Sequence, residues 1–234
     1  MTHQMARSEL RVAIIEDHAL FAESLELALS LEGYDVRRAP HPASGSSVNA
    51  MLAGVLRMRP RVVLLDLDLD LGHYGDGARL ISPMAAAGIQ VVVVTASADR
   101  PRWGGCLRNG ARTVHSKSQP LNEILATVRR INQGLPVIDR ATRESLVQLW
   151  ADQRQEHQRM NDRLQLLTPR EQEVLAQLMR GNTVREIANL SVVSEATVRT
   201  QVKSILAKLE VSSQLAAVGM AHAASWRLLT AVPA

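Results

Sequence analysis

Short runs of apolar, mostly β-branched residues mark the first half of the chain. Three of them, RVAII (11–15), VVLL (62–65) and VVVV (91–94), are apolar at almost every position. Strands of a parallel sheet covered on both faces show this pattern, because side chains pointing either way are buried. Two weaker runs, YDVRRA (34–39) and RTVHS (112–116), bring the predicted strands to five.

Segments with helical periodicity lie between the predicted strands. The clearest are FAESLELALSLEG (21–33) and PLNEILATVRRINQG (120–134), where Pro120 can open a helix and Gly134 can end it. Strands that alternate with helices predict a doubly wound α/β domain with a five-stranded parallel sheet. We place this domain at residues 10–133.

The next segment, residues 134–166, is rich in Gln and Arg, and Leu146, Leu149 and Trp150 form its apolar stripe. This pattern indicates a helical linker. Apolar residues nearly vanish at 153–163, so disorder is the alternative there.

The last segment, residues 167–228, carries the start and stop signals of four short helices, beginning near residues 169, 183, 194 and 212. Thr168 to Glu171 and Thr183 to Glu186 are capping-box sequences, and Ser194 can cap a third helix. Gly181 suits the left-handed residue that ends a helix. These signals predict a small all-α domain.

The overall composition narrows the class of protein. The chain has 234 residues, 46% of them hydrophobic and 21% charged. It contains no apolar run near the roughly 18–20 residues of a membrane span, and its first residues lack an export signal. We therefore expect a cytoplasmic protein that does not enter a membrane. The single cysteine, Cys106, is expected to be a packed residue, and a net charge of +4 permits a nucleic-acid partner without establishing one.

Acidic residues follow two predicted strands at the edge where open α/β sheets bind ligands. Asp66 follows VVLL, and Glu16 and Asp17 follow RVAII. With strand order 2-1-3-4-5 these strands are neighbours, so the three carboxylates converge. Like charges this close need a cation, and Mg²⁺ is the natural candidate.

A hydroxyl and a cation complete the predicted site. Thr95 follows VVVV, and Lys117 follows the fifth predicted strand. With Asp66 as nucleophile, these residues indicate a site that receives a phosphoryl group on a carboxylate. Each has a structural explanation by itself, such as a helix cap for Asp66 or a solvated charge for Lys117. The combination of types at four strand ends favours the site.

Two other chemistries fit part of this pattern. A calcium loop of EF-hand type counted from Asp66 would need Gly at its sixth position and Glu at its twelfth, but Leu71 and Gly77 stand there. The sequence VVLLDLD also resembles the haloacid dehalogenase phosphohydrolases, with Asp66 as nucleophile and Asp68 as acid/base. Those enzymes need a further acidic pair after the lysine, where this chain has only scattered acids.

Residues 10–133 resemble the receiver domain of two-component response regulators. The resemblance rests on IIEDH, VVLLDLDL, Asp76-Gly77, Thr95-Ala96 and Lys117. It implies that Asp66 accepts phosphate from a sensor histidine kinase. It also implies that Asp17, Asp66 and the backbone carbonyl of Asp68 bind Mg²⁺ directly, and that Glu16 acts through water.

Three features depart from the receiver pattern. Asp70 stands where the family usually has proline, and LGHYG (71–75) lengthens the following loop. Val114 occupies the position, three before Lys117, where a switch Tyr or Phe is usual. A receiver that signals without phosphate is therefore an alternative.

Residues 166–226 resemble a LuxR-type helix-turn-helix domain. In the helix after Ser194, four residues form an apolar stripe that must pack inward: Val198, Val202, Ile205 and Leu209. The remaining polar face is predicted to contact DNA through Ser194, Thr197, Arg199, Thr200, Gln201 and Lys203. An ordinary solvated basic face is the alternative. The resemblance also implies dimerisation through small residues of the final helix, namely Ala216, Ala217, Met220 and Ala223, although packing within the domain explains some of this face equally well.

The two resemblances together predict a response regulator of the NarL/FixJ family: a flavodoxin-like receiver followed by a four-helix helix-turn-helix domain. The implied partners are promoter DNA, a sensor histidine kinase and a second copy of the chain when active. No enzymatic role is expected. A ligand-sensing LuxR-type protein is disfavoured, because 3% aromatic residues are too few to line an apolar signal pocket.

Overall fold

The computed structural model describes residues 6–39, 48–69 and 76–227. It divides into two compact units, with the division after Ala151, and each unit is described by itself. The departures from the receiver pattern at Asp70 and 71–75 lie outside the described residues. The domain boundaries predicted from the sequence remain predictions.

The first unit is built on a parallel sheet of five strands. In chain order they are β1 (Arg11–Ile15), β2 (Asp35–Arg38), β3 (Val62–Leu65), β4 (Gln90–Thr95) and β5 (Thr113–Ser116). The order across the sheet is β2-β1-β3-β4-β5, and every pair is parallel. The predicted sheet is thereby confirmed, and the carboxyl ends of β1 and β3 lie side by side.

Helices cover both faces of this sheet. They are α1 (Ala19–Leu31), α2 (Val48–Met58), α3 (Ile81–Ala86), α4 (Arg100–Arg108) and α5 (Leu121–Asn132), with short 3-10 helices at Arg7–Glu9 and Gly77–Leu80. Helices α1 and α5 pack on one face around Leu25 and Val128, and α2, α3 and α4 pack on the other around Val55 and Met84. Burial on both faces explains why β3 is apolar throughout.

The linker segment forms one helix, α6 (Arg140–Gln165), which is helical throughout residues 153–163. Its first turns pack within the first unit. Leu146 is buried, and the Arg143 guanidinium donates hydrogen bonds to the carbonyl oxygens of Leu107 (2.8 Å) and Ala111 (3.3 Å).

Up to residue 227, where the described part of the chain ends, the second unit consists of the last turns of α6 and four short helices: α7 (Pro169–Met179), α8 (Val184–Leu190), α9 (Glu195–Leu209) and α10 (Gln214–Ala223). Capping boxes form at the starts of α7 and α8, as predicted. The Ser194 hydroxyl accepts a hydrogen bond from the Thr197 amide and caps α9. Gly181 has a φ of +85°, in the left-handed region expected of it.

The apolar stripe of α9 is buried in the core of this unit, as predicted: Val198, Val202, Ile205 and Leu209. The turn before α9 contains Val192, whose φ is 54°. β-Branched residues rarely adopt this left-handed region. The turn is therefore locally strained.

Two expectations from composition can be compared with the structure. Cys106 is 1% exposed and packs in the core on the α4 side of the sheet, and burial raises the pKa of its thiol to about 12. Within the described ranges, no helix combines the length and the apolar character that crossing a bilayer requires.

Candidate phosphoacceptor site and nucleic-acid interface

The carboxyl ends of β1 and β3 bring the three predicted acidic residues together. Ile15 pairs with Leu65 in the sheet, and the Asp66 amide donates a hydrogen bond to the Ile15 carbonyl at 2.9 Å. One carboxylate oxygen from each of Glu16, Asp17 and Asp66 lies within 4.8 Å of the others. These hard oxygen donors fit Mg²⁺, which binds one or two carboxylates together with water.

Lys117 supplies positive charge to this cluster. Its Nζ donates hydrogen bonds to Asp66 (2.7 Å) and Glu16 (2.8 Å), and its amide donates to the Thr95 carbonyl (2.8 Å). Burial raises the pKa of Glu16, although the hydrogen bond from Lys117 opposes the shift. Burial would lower the pKa of Lys117, but the two carboxylates raise it overall. The lysine is therefore a fixed cation beside Asp66.

Thr95 lies at the end of β4 and is fully buried. Its hydroxyl donates to the carboxylate of Asp68 at 3.1 Å and accepts a hydrogen bond from the Ser97 amide at 3.1 Å. The Asp68 amide in turn donates to Asp66 Oδ1 at 3.2 Å. Thr95 thus belongs to the same network as Asp66, with Asp68 between them.

Arg102, in the first turn of α4, belongs to this site but was not predicted from the sequence. Its guanidinium donates to Asp68 at 2.7 Å and to Asp76 at 3.0 Å. Burial opposes ionisation of Asp68, but the hydrogen bond from Arg102 leaves the pKa of Asp68 lower than usual. Arg102 lies 34 residues from Asp68 along the chain, and the local sequence RPRWGG contains no pattern that predicts the contact.

Gly77, the second residue of the Asp76-Gly77 pair, packs directly against the backbone of Asp66. A Cβ at residue 77 would lie 2.5 Å from the Asp66 carbonyl oxygen, closer than real Cβ atoms come. The Gly77 amide donates to the Leu67 carbonyl at 3.0 Å, and Asp76 caps the short helix that follows. A glycine is therefore required for this close approach.

The predicted DNA-contacting residues lie on α9 and at its amino end. Ser194, Thr197, Arg199, Thr200 and Lys203 are exposed. Arg199 donates to Glu195 at 2.7 Å, one turn earlier on the same helix. Gln201 differs from the others, because it is only partly exposed and its Oε1 atom is buried. The exposed side chains form a polar face with the two cations four residues apart.

A buried carboxylate on α7 positions α9. Glu171 accepts hydrogen bonds from Lys208 Nζ (2.7 Å), Ser204 Oγ (2.6 Å) and the Thr168 amide (2.7 Å). Burial opposes its ionisation, but these donors lower the pKa of Glu171 to about 2. Sequence reasoning recognised the capping contact with Thr168 and missed the two contacts to α9.

An acidic strand-end cluster with a lysine on a 2-1-3-4-5 parallel sheet is typical of response regulator receiver domains, and the chain belongs to this family. Residues 12–129 match the response regulator receiver domain, and residues 165–221 match the bacterial regulatory proteins of the luxR family. This combination is that of the NarL/FixJ regulators. The protein is a transcription regulator with a receiver domain and a LuxR-type DNA-binding domain.

Individual proteins are similar to this chain along most of its length. The chain is 26% identical over 207 residues to the oxygen regulatory protein NreC of Staphylococcus epidermidis strain ATCC 35984, covering 88% of this chain and 93% of the relative. NreC of Staphylococcus carnosus strain TM300 is also 26% identical, over 206 residues. The RcsB response regulator of Salmonella typhimurium shares the fold, with a TM-score of 0.51 and 20% identity over 90% of this chain and 98% of that one.

Proposed function

We propose that Asp66 is the phosphoacceptor, and that its Mg²⁺-dependent phosphorylation by a sensor histidine kinase controls dimerisation and sequence-specific DNA binding. The observation that carries the proposal is the cluster of Asp66 with Glu16, Asp17 and Lys117, all buried or partly buried at one edge of the sheet. Cytoplasmic localisation follows from the same proposal, because the partners are a kinase and promoter DNA.

The residues of the site suit the transfer of a phosphoryl group to a carboxylate. A carboxylate oxygen of Asp66 attacks the phosphorus of the phosphohistidine, the P–N bond breaks, and the imidazole nitrogen keeps the electron pair. Lys117 neutralises charge on the phosphoryl oxygens, and the Thr95 hydroxyl can donate to one of them. Mg²⁺ would supply further neutralisation, held by Asp17, Asp66 and the backbone carbonyl of Asp68, with Glu16 acting through water.

Intact mass after incubation with acetyl phosphate and Mg²⁺ tests the phosphoacceptor. We expect a gain of about 80 Da, one phosphoryl group, that requires Mg²⁺ and is absent from Asp66→Asn. Asp162→Asn, which makes the same change at an exposed residue of α6, serves as control and should gain the phosphoryl mass as wild type does. Size-exclusion chromatography of the same samples measures dimerisation. A gain that persists in Asp66→Asn would place the phosphate elsewhere.

A receiver that signals without phosphate is the second candidate, and Val114 favours it. This residue is partly buried on β5 and packs against the core on the α4 side, so the aromatic switch usual at this position is missing. If this alternative is correct, Asp66→Asn should bind promoter DNA with the affinity of wild type, whether or not a phosphodonor is present.

DNA contact by α9 is tested by the salt dependence of binding to duplex DNA. Arg199→Ala and Lys203→Ala should each weaken binding, and removal of one phosphate contact should reduce the slope of log K against log salt by about 1. Arg159→Ala, which removes an exposed arginine of α6, is the matched control. Equal weakening in all three variants would indicate a general charge effect instead of a groove contact.

A further inference from the structure

Two chains of hydrogen bonds connect the Thr95 hydroxyl to the first turn of α4. In the first, the hydroxyl donates to Asp68 (3.1 Å), whose carboxylate also accepts from Arg102 (2.7 Å). In the second, the Ser97 amide donates to the Thr95 hydroxyl (3.1 Å), and the Ser97 carbonyl accepts from the Trp103 indole (2.9 Å). Both chains end on consecutive residues of one helix.

The single proton of the Thr95 hydroxyl makes two arrangements mutually exclusive. A hydroxyl donates one hydrogen bond at a time. While Thr95 donates to Asp68, it cannot donate to a phosphoryl oxygen on Asp66. Arg102 stabilises the first arrangement, because it fixes the Asp68 carboxylate and bridges it to Asp76 (3.0 Å). Phosphorylation favours the second.

Helix α4 is packed closely on α6 inside the first unit. A Cβ at Gly104 would collide with the backbone carbonyl of Leu146, and a Cβ at Gly105 would lie 2.9 Å from the indole of Trp150. The Arg143 guanidinium binds the carbonyl of Leu107 near the end of α4. A change in the position of α4 must therefore alter the packing of the first turns of α6.

We propose that Arg102 is a positioning residue that holds the Thr95 hydroxyl on Asp68 until Asp66 is phosphorylated. When Thr95 is released from Asp68, the packing of α4 on α6 changes. The proposal rests on the proposed function, because phosphorylation of Asp66 supplies the competing acceptor. It gives the receiver an output route that does not need an aromatic residue at Val114. The helix that receives this output is continuous from Arg140 to Gln165.

Amide hydrogen exchange in residues 141–150 of the full-length protein tests this route, with and without acetyl phosphate and Mg²⁺. In wild type we expect phosphorylation to raise exchange there by about fivefold or more, the lower end of ordinary coupling between sites. In Arg102→Ala the exchange should be fast already and should not respond further. Arg100→Ala removes an exposed arginine from the same turn and should behave as wild type. Arg102→Lys, which keeps the charge but not the two-carboxylate fork, should retain part of the response.

The outcomes separate this proposal from the proposed function. If Arg102→Ala gains the phosphoryl mass and responds in α6 as wild type does, Arg102 does not hold Thr95. If wild type gains the mass without any change in α6, the reporting route is wrong. If wild type gains no mass, the proposed function fails. Faster amide exchange in α6 of Arg102→Ala than of Arg100→Ala would then still support the contact of Arg102 with Asp68, and equal exchange would contradict it.

Gly105→Ala provides an independent test that leaves Asp68, Thr95 and Arg102 unchanged. Its methyl group presses on the indole of Trp150, so exchange in α6 should rise. Because coupling between sites is reciprocal for equilibrium binding, the affinity of the site for beryllofluoride, a phosphoryl mimic that binds at Asp66, should rise by a comparable factor. Raised exchange with an unchanged affinity would overturn the proposal, because a merely structural contact would behave in that way.

Discussion

Each unit of the molecule contains a buried carboxylate paired with a lysine, and the two pairs have the same length. Lys117 Nζ lies 2.7 Å from Asp66, and Lys208 Nζ lies 2.7 Å from Glu171. Glu171 also accepts from Ser204 and Thr168, so its charge is neutralised and donors surround its oxygens. These donors outweigh burial and lower the pKa of Glu171 to about 2.

The cluster around Asp66 is arranged differently. Glu16 and Asp17 add two further carboxylates within 4.8 Å, and Lys117 pairs with two of the three, Glu16 and Asp66. At Glu16 burial outweighs the hydrogen bond from Lys117, so the pKa of this residue is raised, whereas the pKa of Glu171 is lowered. The difference shows how to distinguish the two uses of a buried carboxylate. A carboxylate whose oxygens are satisfied by hydrogen-bond donors holds helices together, whereas three clustered carboxylates offer the oxygen ligands of a cation site.

The largest expected effect is on the stability of the second unit. Glu171→Gln should destabilise it by about 2–3 kcal/mol, because the variant loses charge-assisted hydrogen bonds and leaves Lys208 without its carboxylate. Urea unfolding followed by Trp226 fluorescence measures this unit. Glu186→Gln changes the equivalent capping-box residue of α8, which is exposed and accepts hydrogen bonds from Thr183, and should cost clearly less than Glu171→Gln. Equal costs would show that Glu171 acts only as a cap.

Acid should remove the same contribution. The folded-state pKa of Glu171 is about 2, below its usual value of 4.5, so its contribution is fully present above pH 4.5 and is lost as pH falls toward 2. The difference in unfolding temperature between wild type and Glu171→Gln should therefore shrink across this window. A difference that stays constant from pH 7 to pH 2.5 would contradict the lowered pKa.

Magnesium should act on the other unit alone. Binding to the native site stabilises the first unit by about 1.4 kcal/mol at tenfold the Kd. Trp103 and Trp150, which lie in that unit, report its unfolding. Asp17→Asn should abolish the shift, and the transition of the second unit should not move in either protein. A matching shift of the second unit would point to a general salt effect.

The sequence was sufficient to predict what depends on local pattern. The five strands and the helices of the second unit follow from apolar runs and helix start signals, and the acidic cluster follows from the strand order 2-1-3-4-5, which was taken from the doubly wound fold class. Element ends were less accurate, since β4 begins at Gln90 and α1 at Ala19, outside the apolar segments used to place them.

Contacts between distant segments could not be predicted. Lys208 lies 37 residues from Glu171, and Arg102 lies 34 from Asp68. Each side chain has an ordinary solvent-exposed explanation until the fold brings its partner close. The glycines of α4 at 104 and 105 would normally count against a helix, and only the closeness of α6 explains them.

The smallest expected effect tests whether strain in the turn before α9 lowers the stability of the second unit independently of Glu171. Val192 is 90% exposed with a φ of 54°, so its side chain contributes little packing while its backbone is strained. Val192→Gly should stabilise the unit by about 0.5–1 kcal/mol, because relief of roughly 1–2 kcal/mol of strain exceeds the added chain entropy of glycine. Val192→Ala, which keeps a Cβ, should gain less.

Because Val192 is not among the hydrogen-bond partners of Glu171, the effects of Val192→Gly and Glu171→Gln should add within about 0.5 kcal/mol. Strong non-additivity in the double variant would mean that the turn and the buried carboxylate stabilise α9 as one unit.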